Sequence, residues 1–159
     1  MKIGVLALQG AFIEHIKKLR ELGVQAGEVR LPKDLQGVDG LIIPGGESTA
    51  IGKLMASFQL VEPVRRFAAE KAVWGTCAGM ILMAKRIESG QPILSLMNLA
   101  VERNAFGRQI DSFEEDLPVA VLKEGDTRPF PGVFIRAPRL IEVHQPARVI
   151  ASLADGTAV

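Results

Sequence analysis

MKIGVLALQGAFIEHIKKLRELG, residues 1–23, decides how the rest of the chain is read. Lys2 to Ala7 is a short β-forming run that breaks at Gln9-Gly10. Phe12, Ile13, Ile16, Leu19 and Leu22 then fall on one helical stripe, with Gly23 as the stop. The pattern is a strand followed by a helix. Working outward, Gln25 to Arg30 reads as a second strand. Gly40 to Ile43 reads as a third, breaking at Pro44-Gly45-Gly46 before a helix from Ser48 to about Met55. Glu62 to Lys71 is a helix with Pro63 in its first turn, Ala72 to Gly75 a short strand, and Ala78 to about Lys85 a further helix. Alternation of this kind predicts an α/β fold with a parallel sheet between two helical layers.

Beyond Ser89 the texture is β-rich, with short runs at Leu99 to Glu102, Pro118 to Leu122, Gly132 to Ile135, Leu140 to Val143 and Ala147 to Ala151. Antiparallel pairing is expected there. Glu114-Glu115-Asp116 reads as a solvated loop, and Ala154 to Val159 as a hairpin turn.

The chain has 159 residues, 48% of them hydrophobic, enough for one sizeable core, and a single domain over 1–159 is the expectation. Lysine plus arginine number 19 against 18 acidic residues, which leaves no net field to gather nucleic acid or an anionic membrane. The apolar run at the amino end is too short to span a bilayer or to form a secretory core. One cysteine excludes an internal disulfide and suits a cytoplasmic chain, with the thiol either buried for structure or kept for chemistry. No metal site and no bound cofactor are expected.

Ligands bind a doubly wound sheet at the carboxyl ends of its strands, which selects three loops: Leu8-Gln9-Gly10, Pro44 to Ser48, and Gly75-Thr76-Cys77-Ala78-Gly79. The third has small residues two positions before and after a nucleophile at a strand-to-helix junction, the spacing of a nucleophile elbow. Such a turn exposes the sulfur, aims the next backbone N–H at a developing oxyanion and sets the thiolate at a helix N-terminus. A cysteine packed between glycines would carry the same letters. In the second loop Gly45 and Gly46 let backbone amides approach a ligand and Ser48 is placed to cap the next helix. No lysine follows in the spacing of a phosphate loop.

Five segments in order, Leu6 to Gly10, Pro44 to Thr49, Gly75 to Gly79, Val101 to Gln109 and Gly132 to Pro138, resemble the glutaminase subunit of pyridoxal 5′-phosphate synthase. The resemblance implies the flavodoxin-like three-layer sandwich of class I glutamine amidotransferases, L-glutamine as substrate, and a synthase subunit as the partner that receives ammonia. It implies Cys77 as nucleophile, with Gly46, Glu47, Ser48, Arg103, Ile135 and Arg136 as glutamine contacts. Pyridoxal phosphate would be the product of the whole complex rather than a cofactor of this chain. Chemically, arginine suits the α-carboxylate of an amino acid, and Arg103, Arg108 and Arg136 are the candidates.

The family's activating histidine and orienting glutamate lie in a Phe-His-Pro-Glu type segment near the carboxyl end, which these residues do not contain. His15 reads as a packing or partner-contact residue, His144 as an exposed one, and neither as the base. The expectation is a protein that continues past Val159. The alternatives are a catalytically incomplete subunit that only binds glutamine or the synthase, and a related elbow-cysteine hydrolase or stress protein.

Overall fold

The computed structural model describes residues 1–88, 90–103, 112–122 and 128–159. Two compact units are present, Met1–Lys85 with Ser89–Leu96, and Arg86–Glu88 with Met97–Val159.

The first unit holds β1 (Lys2–Leu6), α1 (Phe12–Glu21), β2 (Gln25–Val29), a 3-10 turn (Pro32–Leu35), β3 (Gly40–Ile43), α2 (Ser48–Ser57), α3 (Val61–Glu70), β4 (Ala72–Gly75) and α4 (Ala78–Met83). Its sheet runs β2-β1-β3-β4, all parallel, with Val5 opposite Ile42 and Ile43 opposite Gly75. Side chains alternate across a strand, so β3 can feed two cores. Ile42 joins Val5 and Ile16 beneath α1, together with Ile3, Phe12 and Leu19. Ile43 faces the opposite side, where α4 lies against it at Gly79. All four β3 residues are buried, as a strand covered on both faces requires.

The stripe on α1 is narrower than its apolar letters suggest, because Ile13 and Leu22 are exposed. The helix ends in a Schellman arrangement: Gly23 (φ 74°) donates to the Arg20 carbonyl and Val24 to that of Leu19. The predicted run of α4 to Lys85 is corrected, since the helix stops at Met83 and β5 (Ala84–Ile87) follows. The reason is tertiary. The carbonyls of Leu82 and Met83 accept the N–H groups of Leu94 and Leu96 at 2.6 and 2.9 Å, so the returning chain takes acceptors that a longer helix would use.

The second unit adds β6 (Met97–Glu102), β7 (Phe113–Leu117), β8 (Phe130–Phe134) and β9 (Arg139–Val143). β6 and β9 pair antiparallel with an irregularity at Ala100/Val101, in a sheet ordered β5-β6-β9, and β7 pairs antiparallel with β8. Leu117, Val119, Phe134, Ala137 and Leu153 form one buried cluster of this unit, and the Phe113 and Phe134 rings stack at 4.7 Å.

Three predictions here are corrected. Glu114-Glu115-Asp116 is not a loop but the middle of β7. Phe113 and Leu117 anchor that strand, Glu114 and Asp116 point outward, and Glu115 accepts the Ala154 N–H at 2.8 Å. Pro118 to Leu122 is a turn, closed by Leu122 N–H on the Val119 carbonyl, and Ala147 to Ala151 forms no strand. The expected turn near the last residues is present, with Gly156 at φ 85° and a single bridge between Ser152 and Ala158.

Candidate active site

Three loops at the carboxyl ends of β1, β3 and β4 are tied together within the first unit. Ala11 N–H donates to the Gly45 carbonyl at 3.0 Å, Glu47 N–H to Gln9 Oε1 at 2.8 Å, and Thr76 N–H to the Ile43 carbonyl at 3.1 Å. Approach is close enough to demand glycine. A Cβ on Gly10 (φ 96°) would lie 2.0 Å from the Gly45 oxygen, and one on Gly46 would lie 3.0 Å from the Gly10 Cα.

Cys77 stands between β4 and α4 with φ 51° and ψ −106°, a backbone conformation that costs a non-glycine residue about 1–3 kcal/mol. The turn closes through Gly79 N–H on the Thr76 carbonyl at 2.8 Å. Both flanking glycines are required by packing: a Cβ on Gly75 would meet the Gly79 carbonyl carbon at 2.6 Å, and one on Gly79 the Ile43 oxygen at 2.2 Å. The thiol that this strained turn presents is free and exposed. Gly45 lies opposite it; a Cβ there would be 3.5 Å from that of Cys77. The geometry is an accessible sulfur bordered by a glycine-lined backbone loop, suited to nucleophilic attack on a carbonyl.

Ser48 does not cap α2. That position belongs to Glu47, whose carboxylate accepts from Thr49 N–H at 3.0 Å and Ala50 N–H at 2.7 Å. Ser48 is buried, and its hydroxyl donates to Gln91 Oε1.

Arg103, Ile135 and Arg136 belong to the second unit, where Arg103 is half-buried just after β6 and Ile135 and Arg136 are exposed after β8. Arg136 holds a left-handed backbone, φ 45°. Arg108 lies outside the described residues.

His15 is half-buried on α1, with Nε2 3.4 Å from Thr76 Oγ1 and its ring edge-on to Trp74 at 5.8 Å. Burial pushes its titration below the usual imidazole value, against a smaller upward pull from Glu14. His144 is exposed and pairs with Glu142 at 3.0 Å. The sequence reads His15 as a packing or partner-contact residue and gives no sign of its approach to Thr76, the residue preceding Cys77. Gln9 and Gln91 were also missed as loop-holding residues.

A family model described as the SNO glutamine amidotransferase family matches residues 5–159. The chain belongs to that family. The pyridoxal 5′-phosphate synthase subunit PdxT of Moorella thermoacetica is 58% identical over 157 residues, covering 98% of this chain and 82% of the relative. The protein of the same name from Herpetosiphon aurantiacus is 56% identical over 164 residues, covering 100% and 85%. A solved glutamine amidotransferase shares 46% identity with a TM-score of 0.88 over 98% of this chain and 82% of that one. PurLQS from Thermotoga maritima, at 15% identity and a TM-score of 0.73 over 99% of this chain and 76% of that one, shares the fold. These likenesses agree with the α/β class read from the strand and helix alternation, and with the flavodoxin-like three-layer fold that the family resemblance implied. Among the described residues no helix is long and apolar enough to cross a membrane.

Proposed function

We propose that this amidotransferase is a glutaminase with Cys77 as its nucleophile. The observation that carries the reading is the Cys77 turn: backbone strain maintained at an exposed thiol, packed on glycines that no other residue could replace. The thiolate adds to the carboxamide carbon of L-glutamine and the carbonyl oxygen becomes an oxyanion facing backbone N–H groups of the elbow and the glycine loop. The proton given up by the thiol is delivered to the amide nitrogen, the C–N bond breaks and ammonia leaves; water then hydrolyses the thioester to glutamate and restores the thiol.

In this reading Gly46, Glu47 and Ser48 form the loop that holds glutamine, and Arg103, Ile135 and Arg136 supply further contacts, with arginine suited to the α-carboxylate. The relatives' name supports passage of the ammonia to a synthase subunit that builds pyridoxal 5′-phosphate. The cytoplasm suits the work, since a lone thiol stays reduced there.

Glutamine-dependent ammonia release, measured with and without a synthase subunit, tests the proposal. Turnover that disappears in Cys77→Ala supports it; turnover that survives overturns it. Glutamine or synthase binding with no turnover in the unsubstituted protein would favour a binding-only subunit.

A further inference from the structure

Ser48 is 2% exposed, and a hydroxyl removed from water must find a partner. Its partner lies 43 positions along the chain: Ser48 Oγ donates to Gln91 Oε1 at 3.2 Å, and Thr49 Oγ1 donates to the same oxygen at 2.9 Å. A carboxamide oxygen has two lone pairs, so one Gln91 can satisfy both hydroxyls.

Gln91 stands in an irregular segment, 90–96, that is itself held down. Arg65 on α3 donates through Nε to the Leu94 carbonyl at 2.9 Å and through Nη2 to that of Ile93 at 3.1 Å. Leu94 and Leu96 bond the carbonyls of Leu82 and Met83. The Pro92 oxygen comes so near α2 that a Cβ on Gly52 would lie 2.7 Å from it. The segment is therefore ordered by contacts that do not involve the glycine loop. On the loop's other side, Gln9 takes the Glu47 N–H. Gly46 to Thr49 is thus gripped between two carboxamides, one before α1 and one on the 90–96 segment.

We propose that Gln91 is a positioning residue for glutamine binding: by accepting both hydroxyls of the first turn of α2, it holds the Gly46-Glu47-Ser48 backbone in its receptive geometry. The inference rests on the functional reading above. Order supplied by the protein need not be supplied by the substrate, so losing the acceptor should weaken binding more than chemistry.

The protein assayed with a synthase subunit tests this through two substitutions. Gln91→Met keeps length and volume but removes the acceptor. Gln91→Glu keeps an oxygen that can accept both hydroxyls. KM for glutamine should rise about tenfold or more in Gln91→Met, the scale of one or two lost hydrogen bonds, with kcat within about twofold. Gln91→Glu should recover most of the affinity. Protection of Cys77 from iodoacetamide by glutamine should require correspondingly more glutamine in Gln91→Met. Unchanged KM in Gln91→Met overturns the proposal while leaving the Cys77 assignment intact. A fall in kcat at constant KM in both variants also overturns it, reducing Gln91 to a structural role. Turnover retained by Cys77→Ala would remove the functional reading, and this proposal with it.

Discussion

Gly79 and Ile43 approach so closely that a Cβ on the glycine would lie 2.2 Å from the isoleucine carbonyl oxygen. The elbow is therefore seated on β3 as well as on its own strand. Gly79→Ala must displace either the turn or the strand, and overpacking of this kind costs about 1–3 kcal/mol or more. Urea denaturation should show a loss in that range, with Cys77 reacting more slowly with glutamine-mimicking electrophiles. A variant with unchanged midpoint would mean that the elbow shifts freely.

The positive φ of Cys77, 51°, predicts a trade between stability and activity. Glycine accepts that region at little cost, so Cys77→Gly should gain up to about 1 kcal/mol while losing ammonia release, whereas Cys77→Ala retains the strain and gains nothing. Thermal melts of the three proteins side by side read this directly. Equal stability of the alanine and glycine variants would show that the backbone relaxes.

Gln9→Leu leaves the Glu47 N–H without its 2.8 Å acceptor. A lost hydrogen bond to an exposed loop amide is worth about 0.5–1.5 kcal/mol, part of which should appear as weaker glutamine affinity. Isothermal titration of the Cys77→Ala background separates this effect from turnover. Wild-type affinity would reassign Gln9 to another role.

His15 gives stability a specific pH dependence. Its folded-state titration is lowered, chiefly by burial, so below the ordinary imidazole value of 6.5 the unfolded chain binds a proton that the folded ring resists. Stability should be level above that pH and fall as pH drops through it towards the lower folded value. Asp34 and Asp39 are held low chiefly by backbone N–H bonds, and their contribution is lost only below the ordinary value of 3.8, so the two windows are separate. Denaturation midpoints at pH 7.5 and 5.5 should differ in the native protein and converge in His15→Gln. A slope that survives the substitution would exclude His15 as its source.

Much of the first unit can be read directly from the letters, because its signals are local. Gly23 closes α1, the apolar run Gly40 to Ile43 makes a strand buried on both faces, and Gly75 and Gly79 bracket Cys77 at the spacing a tight turn needs. In each case the cause lies within a few residues of the effect.

What only the tertiary structure decided are choices made by distant groups. Charge pattern assigned Glu114 to Asp116 to a solvated loop, yet a strand displays outward charges freely when Phe113 and Leu117 pack on the other face. Helix propensity carried α4 to Lys85, until the N–H groups of Leu94 and Leu96 claimed its last acceptors. Ser48 looked like a cap but is buried instead, with its hydroxyl answered by Gln91 from 43 residues away. A hydrogen bond between residues far apart in the chain leaves no periodicity or spacing in the sequence, so these relationships become visible only once the chain has folded.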